Sequence, residues 1–596
     1  MAHPMFPSPD LAYRRLRRVL NVAMTLVAVC ALFSLVCEYG FYKPPFNVHW
    51  LHSLQIAVLA YFLADKLIRF LISADRWAYL RHIWLHLVLI VLVVAAILFA
   101  RRLGYRFASA GMVYITIVQA YILGLLGLNL LQLNVRLSES GLPPARLMII
   151  SFLVVILCGA ALLQLPRALP PADPDGSPPQ DTRLPIADSL FTAVSATCVT
   201  GLVVRDTVQD FSVFGQIVIL AMIQLGALGI MMFGTTFALM IGRTIGLREG
   251  TFYQGLLSEN IFGKIARMLK FIVLTTLTLE LLGAVLLFSL WDKDFSQAQR
   301  VWHSIFHAVS AFCNAGFGLF ANSLRDFSGS WQVYAVFCPL IIIGGLGFPV
   351  LYNLAQMFLA ALRGRSPKKR HFVIGAEMAP TRPRFTLQTK LVAATSLSLI
   401  ILGTILLWLL GRCGWAGAFF QSVTARTAGF NTIVVKDLPP GGLFLLVALM
   451  VVGGSPASTA GGFKTVTLAV LVLSVWATLR RRDNVEAFGR TLVLETLRRA
   501  AALVILFLGL LLATTLALSL AQPREPLAEL LFESASACGT VGLSTGLTAR
   551  LTLAGKYILM LAMFLGRLGP LTFLIAVSAR HRPARYDYPS EPLVIG

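Results

Sequence analysis

One short sequence pattern occurs four times along the chain. It reads FTAVSATCVTGLV at 191–203, FHAVSAFCNAGFG at 306–318, FQSVTARTAGFN at 420–431 and FESASACGTVGLS at 532–544. The glycines near the end of these stretches are 115, 113 and 113 residues apart. Such a regular repeat indicates one supersecondary unit used four times. We therefore predict four units in a pseudo-fourfold ring: unit 1 at 145–245, unit 2 at 260–365, unit 3 at 385–482 and unit 4 at 495–580.

The chain is too apolar to be a water-soluble protein. Hydrophobic residues make up 57% and charged residues only 13% of its 596 residues, and the mean hydropathy is +0.78. Soluble domains have roughly 45–50% apolar and about 25% charged residues. Runs of about 20 apolar residues are typical of transmembrane helices. Twelve such runs predict an all-α polytopic membrane protein, and they lie at 19–39, 51–72, 83–100, 109–133, 147–165, 213–241, 271–291, 331–361, 388–410, 441–477, 499–520 and 553–578.

The positive charge of the chain indicates its orientation in the membrane. Lysine and arginine exceed aspartate and glutamate by 23, and the excess lies in short clusters between apolar runs. It forms no single basic face, so we predict no nucleic-acid partner. The clusters follow every second run, which predicts a multi-pass protein of the cytoplasmic (inner) membrane, surrounded by lipid, with both termini cytoplasmic. Residues 1–140 would form an extra N-terminal bundle of four transmembrane helices, and 581–596 a cytoplasmic tail.

Each unit also contains an apolar stretch, just before its glycine, that is too short to cross a membrane. These stretches lie at 188–200, 302–315, 415–428 and 527–541. We predict that each is a short helix that enters the membrane and ends in a glycine-centred turn. Non-helical backbone at membrane depth is stable only where it lines water or is buried in protein. Four such turns on one axis predict a pore, and the negative ends of the four helix dipoles would favour a cation there.

The backbone carbonyls of these turns are the predicted ion ligands. Glycine permits conformations closed to other residues, so successive carbonyls can face the axis and replace an ion's hydration shell. The side chains before the glycine differ widely between units, which indicates that the backbone does the coordination. The predicted ion-binding residues are Val199, Thr200, Gly201, Asn314, Ala315, Gly316, Thr427, Ala428, Gly429, Thr540, Val541 and Gly542.

Four motifs make the chain similar to the TrkH and KtrB superfamily of potassium transporters. They are GGSPASTAGGFKT (453–465), SVTARTAGFNTI (422–433), SACGTVGLSTGLT (536–548) and GRLGPLT (566–572). The resemblance covers residues 145–580 and implies four membrane–pore–membrane units, potassium uptake with potassium as the substrate, no enzyme activity and no bound cofactor. It also implies a homodimer with one pore in each subunit and a cytoplasmic, nucleotide-binding regulatory ring of the TrkA or KtrA type. Glycine at all four filter positions resembles the potassium-selective form of the family.

The first of these four motifs also predicts a gate. Residues 453–462 read GGSPASTAGG, small residues and proline that interrupt the second span of unit 3, and the resemblance implies an intramembrane gating loop. An arginine within a span is costly unless it faces water or accepting groups. We therefore predict that Arg567, in the last span of unit 4, fastens this loop across the pore. The predicted gate residues are Gly453, Gly454, Ser455, Pro456, Gly461, Gly462, Lys464 and Arg567.

Two other functions fit parts of the sequence. Broken helices at the membrane centre also occur in sodium-coupled or proton-coupled carriers with alternating access. The pairs His303 and His307, and His82 and His86, have the four-residue spacing of a metal or haem pair, as in a membrane oxidoreductase. Their positions near the ends of apolar stretches favour ordinary histidines at the membrane surface instead.

Two charges lie close to the predicted turns. Arg426 is three residues before the glycine of unit 3, and Glu533 is on the short stretch of unit 4. They either pair near the outer mouth, or Arg426 stays solvated and unpaired. Acidic and basic residues in the outer loops are roughly balanced, so the sequence predicts no strong electrostatic funnel for cations.

Overall fold

A computed structural model describes residues 11–72, 77, 144–170, 184–229, 262–292, 294–362 and 384–577. The predicted spans at 83–100 and 109–133, His82, His86 and the tail 581–596 lie outside the described residues. At the front, helices Leu11–Tyr39 and Val48–Ile72 pack against each other. The Tyr42 hydroxyl donates to the carbonyl oxygen of Leu169 at 2.6 Å, which joins this helix pair to unit 1.

Each unit consists of a long first helix, a short helix and a second helix. The first helices are Pro144–Leu163, Phe262–Leu287, Leu387–Leu410 and Leu494–Ala521. The short helices are Ile186–Thr197, Gln297–Phe312, Trp415–Thr424 and Leu527–Gly539. The second helices begin with Val213–Leu228, Val333–Leu346, Pro440–Val451 and Leu553–Leu568. Within the described residues, the four first helices are the unbroken ones that are long and apolar enough to cross a membrane.

Side-chain caps fix where several helices begin. The hydroxyl oxygens of Ser212, Thr386 and Thr552 each accept a hydrogen bond from a backbone amide in the first turn. Ser296 forms a reciprocal capping box with Gln299. Each cap satisfies an amide that has no partner inside the helix and is worth about 0.5–2 kcal/mol.

The second helices differ from the prediction. We expected unbroken spans at 331–361 and 553–578 and an interruption in unit 3 alone. Instead, units 1, 2 and 4 each reach a glycine with positive φ, namely Gly229 (74°), Gly347 (91°) and Gly569 (82°). Beyond the glycine, unit 2 continues as Phe348–Leu362 at an angle of 106°, and unit 4 continues as Pro570–Val577. Unit 3 is interrupted by residues 452–464 and continues as Thr465–Leu479.

A Gly-x-Leu-Gly motif marks the breaks in units 1, 2 and 4, at 226–229, 344–347 and 566–569. A Cβ atom added to the first glycine of each motif would lie less than 3.0 Å from a carbonyl oxygen at the end of the same unit's short helix. Glycine is thus required for the second helix to approach that end so closely. The second glycine then turns the chain with a φ that other residues rarely adopt.

The protein core surrounds the short helices. Each short helix carries a phenylalanine at the same repeat position, and Phe191, Phe306, Phe420 and Phe532 are all almost fully buried. The first helices instead expose large apolar side chains such as Leu281, Leu402 and Leu512. A protein surrounded by lipid needs apolar side chains on its outer surface and polar backbone groups covered by protein.

The chain is not entirely helical in its described part. Strands Glu486–Ala487 and Arg490–Thr491 form a short antiparallel hairpin between units 3 and 4. Its two turn residues, Phe488 and Gly489, both have positive φ, the conformation of a type I′ turn. The prediction of an all-α chain missed this hairpin because each strand has only two residues and lacks an alternating pattern.

Candidate functional site

The four glycine turns share one backbone conformation. Gly201, Gly316, Gly429 and Gly542 have φ between 71° and 93°. Two residues earlier, Val199, Asn314, Thr427 and Thr540 are also left-handed, with φ between 50° and 78°. The residue between them has negative φ in every unit, so the sign of φ alternates. In an ordinary strand successive carbonyls point to opposite sides, whereas alternating φ signs turn them toward the same side.

The turns lie against one another in a closed order. A Cβ atom added to Gly201 would lie less than 3.0 Å from the carbonyl oxygen of Ala315 in unit 2. The same closeness joins Gly316 to Ala428, Gly429 to Val541, and Gly542 back to Thr200. Each glycine therefore lies against the turn of the next unit, and the last against the first. A side chain at any of these glycines would collide with a neighbouring carbonyl.

A hydroxyl at one repeat position braces each turn from behind. The set is Ser195, Ser310, Thr424 and Ser536, and all four are fully buried. Their main-chain oxygens accept the amides of Thr200, Ala315, Ala428 and Val541 at 2.8–2.9 Å. Two of the hydroxyls accept the amides of Gly201 and Gly542 at 3.1 Å. The other two donate to the carbonyl oxygens of Phe317 and Phe430. Sequence reasoning missed this set, although its position in the repeat was visible.

A cavity of about 290 Å³ lies next to the turns, on the side where the residues that follow the four glycines are found. The four glycines form part of its lining, together with charged side chains of both signs, including Asp206, Arg325 and Lys436. An ion that reaches the turns from this side thus passes a mixed surface and meets four glycines at its base.

The segment 452–464 (the loop) lies against unit 2. The amide of Ser455 donates to Gly345 O at 2.9 Å, and Ala457 O accepts the amide of Phe348 at 2.9 Å. The Thr459 hydroxyl donates to Phe312 O, at the end of unit 2's short helix, at 3.3 Å. The loop therefore pairs with the helix break and the short helix of a neighbouring unit.

The loop residues predicted from the sequence are brought together by their small size. The ends of the loop meet, since Gly453 N donates to Phe463 O at 3.0 Å. Cβ atoms added to Gly453 and Gly461 would collide with Gly461 O and with the Thr540 side chain, respectively. Gly462 has positive φ, and the remaining contacts are Gly454 O with the Thr465 amide, the Ser455 hydroxyl with the Thr465 hydroxyl, and Pro456 O next to Gly347.

Arg567 joins three units. Its guanidinium donates to Thr459 O in the loop, to Gly226 O at 2.7 Å and to Ala227 O at 3.4 Å in unit 1. It lies in the last turn before the break at Gly569, rather than midway along a continuous span. In the described part of the chain, Lys464 donates to carbonyl oxygens of its own loop, those of Ala460 at 2.8 Å and Gly461 at 3.3 Å.

The suggested pair of Arg426 and Glu533 does not form. Arg426 donates to the main-chain and hydroxyl oxygens of Ser396, on the first helix of its own unit. Glu533 accepts hydrogen bonds from Ser544, Thr545 and Thr548, which follow the glycine of unit 4. Both side chains are buried, so the solvated alternative for Arg426 is also wrong. Sequence spacing did not show toward which neighbour each helix turns these side chains.

The structure places the His307 side chain inside the protein. It is buried among Trp291, Phe320 and Phe337. Its Nδ1 pairs with His303 O at 2.8 Å, and its Nε2 accepts the amide of Leu319 at 3.2 Å. Neither nitrogen then has a lone pair left for a metal. Among the described residues, no group of three or more His, Cys, Asp or Glu side chains is placed to hold a metal ion.

Comparisons with known proteins identify the family. The family model described as "TrkH: Cation transport protein" matches residues 174–586, the part of the chain that contains the four turns. The chain belongs to the TrkH family. This confirms the resemblance read from the four motifs, and the family is one of membrane cation transport proteins rather than enzymes.

Its relatives within the family are matched over most of their length. Ktr system potassium uptake protein B of Vibrio alginolyticus is 34% identical over 463 residues, which cover 76% of this chain and 94% of that protein. The protein of the same name from Bacillus subtilis is 34% identical over 468 residues, 76% and 97%. Potassium/sodium uptake protein NtpJ of Enterococcus hirae is 34% identical over 471 residues, 76% and 98%.

A solved structure of this family has the same fold. The crystal structure of the potassium transporter TrkH from Vibrio parahaemolyticus superposes with a TM-score of 0.55 and covers 84% of this chain and 98% of that chain. Its sequence identity is 16%, so the likeness concerns the fold alone.

Proposed function

We propose that this chain carries potassium across the cytoplasmic membrane, with the four glycine turns as a selectivity filter and the loop as its gate. The observation that carries the proposal is the closed order of the turns, all with the same alternation of φ. The four units then surround one axis as a pseudo-fourfold ring. Relatives that are 34% identical and named as potassium uptake proteins support the choice of ion.

A filter of backbone carbonyls suits potassium. Carbonyl dipoles replace the ion's hydration shell one for one, so entry costs little free energy. The short helices point their C-terminal ends at the ring and add negative potential there. The twelve turn residues include no charged side chain, which leaves binding weak enough for the ion to move on.

The gate consists of the loop and the positive charges beside it. Arg567 fastens Thr459 of the loop to unit 1, and the loop in turn pairs with unit 2. A guanidinium presents five donors in a fixed fork and suits several carbonyls at once. Its charge, together with that of Lys464, repels a cation beneath the filter. The pore opens when this set of contacts is broken.

The proposed assembly is a homodimer with one pore in each subunit, bound on its cytoplasmic side by a nucleotide-binding regulatory ring of the TrkA or KtrA type. Both termini are cytoplasmic in this proposal. Family membership supports the assembly. Native mass spectrometry of the purified protein, combined with potassium uptake by the same preparation in liposomes, tests the dimer. A monomer that carries potassium at full rate contradicts it.

The test of the function is potassium-limited growth of a host that lacks its own uptake systems. Expression of this chain should restore growth, more strongly when a regulatory subunit is co-expressed. Purified protein in liposomes should take up potassium down an imposed gradient. A protein that reaches the membrane but supports neither growth nor uptake contradicts the proposal.

A coupled carrier is the second candidate, and Glu280 favours it. This carboxyl is buried in the first helix of unit 2, where Gln224 Nε2 donates to it at 3.2 Å and Cys313 Sγ lies at 3.6 Å. It has no ion-pair partner in the described part of the chain. Acids within membrane spans serve as proton sites in many carriers. Single-channel currents in a planar bilayer support a channel, whereas their absence, with uptake that follows a proton gradient and is lost in Glu280→Gln, supports the carrier.

A further inference from the structure

One position on each short helix is polar and buried in all four units. It lies nine residues before the turn glycine in units 1, 2 and 4, and eight residues before it in unit 3, where the repeat is one residue shorter. The four residues are Thr192, His307, Gln421 and Glu533, each at most 2% exposed. A buried polar side chain costs free energy unless it finds a hydrogen-bond partner, so its partner in each unit indicates its role.

Glu533 binds the segment just after the turn glycine of unit 4. We call this segment (543–545), which belongs to no sheet, the exit strand. The amide of Thr545 donates to Glu533 Oε1 at 3.0 Å, and the Thr545 hydroxyl donates to the same oxygen at 3.3 Å. The hydroxyls of Ser544 and Thr548 also donate to the carboxyl group. Four donors suit an ionised carboxylate, which only accepts. The exit strand is thus fixed to the short helix behind it.

His307 makes the equivalent contact in unit 2. Its Nε2 accepts the amide of Leu319, three residues after Gly316, just as Thr545 is three residues after Gly542. Its Nδ1 must then carry the proton that it shares with His303 O. Two chemically different side chains therefore satisfy the same backbone amide of the exit strand (317–319 in unit 2).

Units 1 and 3 lack this contact within the described residues. The Thr192 hydroxyl donates to Asp188 O on its own helix. Neither the oxygen nor the nitrogen of the Gln421 amide has a hydrogen-bond partner in the described part of the chain. Because unit 1 adjoins units 2 and 4 in the ring, as unit 3 does, the two exit strands whose third amide is bound in this way lie opposite each other.

We propose that Glu533 and His307 are positioning residues that hold the exit strands of two opposite filter segments and thereby set the selectivity for potassium over sodium. The inference rests on the proposed function. Carbonyls select between ions of different radius only if the backbone resists moving inward around the smaller ion, and a strand fixed to its short helix resists such a movement. Glu533 carries the larger effect, because hydrogen bonds to a charged group are the stronger ones.

The test compares shape-conserving substitutions at the same repeat position. Glu533→Leu removes the hydrogen bonds that hold the exit strand of unit 4. Gln421→Leu is the matched control, since the Gln421 amide has no hydrogen bond to lose in the described part of the chain. Potassium and sodium uptake are measured in liposomes for each variant. Glu533→Leu should lower the potassium-to-sodium ratio at least about tenfold, and His307→Leu about threefold, as expected for lost hydrogen bonds to a charged and a neutral acceptor. Gln421→Leu should keep the wild-type ratio, and Glu533→Gln, which keeps an acceptor, should lie between.

Hydrogen exchange provides a readout that does not depend on transport. The amides of Thr545 and Leu319 should exchange faster in Glu533→Leu and His307→Leu, respectively, while Gln421→Leu leaves unit 3 unchanged. If Glu533→Leu does not fold, His307→Leu decides the matter through Leu319. Faster exchange with an unchanged ion ratio, or unchanged exchange, overturns the positioning role alone. A wild-type protein that carries no potassium overturns the proposed function, and the role in selectivity with it.

Discussion

The glycine turns and the breaks of the second helices lie at two levels of the same four units, and they differ in symmetry. The turns are alike in all four units, with one left-handed residue on each side of a residue with negative φ. The second helices of units 1, 2 and 4 each end at a glycine with positive φ, and in units 2 and 4 another helix begins directly after it. In unit 3 the break is the loop instead.

This difference separates two requirements. An ion that is bound by carbonyls on all sides needs equivalent groups around it, so the turns must match. A pore needs only one obstruction to be closed, and in the proposed function the loop, which contacts units 2 and 4, provides it. Units 2 and 4 show that a helix break takes one glycine, so the additional residues of the loop are not required for the ring.

The strength of the loop's attachment suits a switch. The loop is held to other units by a few hydrogen bonds, each worth about 0.5–1.5 kcal/mol, or more where a charged group donates. The total is a few kcal/mol, close to the coupling free energies of about 1–3 kcal/mol through which one binding event controls another. A regulatory partner whose binding supplies this free energy, as in the proposed function, would release the loop without unfolding the ring.

Removing the loop should have the largest effect on transport. Deletion of residues 454–460 should raise basal potassium flux into liposomes up to about a hundredfold, if the loop closes the pore with about 1–3 kcal/mol. The deletion brings together ends that are already close, since Gly453 N bonds to Phe463 O. It also removes Thr459 and with it one acceptor of Arg567. Unchanged flux from a folded deletion variant makes the loop a structural connection instead of a gate.

A substitution in the four matching glycine turns should alter ion selectivity instead of gating. Gly201→Ser places a side chain against Ala315 O at a φ of 87°, where a left-handed conformation costs a residue with a Cβ about 1–2 kcal/mol. The potassium-to-sodium uptake ratio should fall about tenfold, the change that corresponds to about 1.4 kcal/mol. Gly542→Ser, against Thr200 O, should behave alike. A normal ratio in both variants removes these glycines from the ion path.

The sequence predicted the four glycine turns better than the breaks of the second helices. A repeated glycine after a short apolar stretch is visible in the letters, and the four turns have positive φ at those glycines. The breaks at Gly229, Gly347 and Gly569 lie within continuous apolar runs, and hydropathy carries no information on φ. The Gly-x-Leu-Gly motif was the available signal. Side-chain direction was the other limit: the partners of Arg426 and Glu533 depend on helix rotation, which spacing alone does not fix.

Arg567→Gln should have a smaller effect than loss of the loop. The glutamine side chain is shorter by two atoms, and the variant loses the charge and most of the donors to Thr459, Gly226 and Ala227. Basal flux should rise about fivefold to tenfold, which corresponds to about 1–1.4 kcal/mol. This is less than the loss of a whole charge-assisted hydrogen bond, because the glutamine amide keeps one donor group. Dependence on the regulatory subunit should decrease. Combined with the 454–460 deletion, the effects should be clearly less than additive, because both break one contact.

Arg146→Gln is the matched control for this variant. Arg146 Nε also donates to a carbonyl of another unit, Ala576 O at 2.8 Å, but it does not contact the loop. Its substitution should leave basal flux unchanged. If Arg567→Gln lowers flux while the deletion raises it, the steric role belongs to the loop alone.

The smallest effect is expected from two glycines that differ only in what lies beside them. Gly347 and Gly569 end the same motif with similar φ, and alanine at either position adds backbone strain of about 1–3 kcal/mol. A Cβ atom on Gly347 would also collide with Pro456 O of the loop, whereas the nearest atom to one on Gly569 is the Thr572 hydroxyl at 3.8 Å. Both variants should therefore unfold at a lower temperature, and Gly347→Ala should unfold at the lower temperature of the two because of this additional collision. Only Gly347→Ala should also displace the loop and raise basal flux, about twofold for a loss of about 0.4 kcal/mol. Equal flux from the two variants means that the loop does not depend on its contact with the break of unit 2.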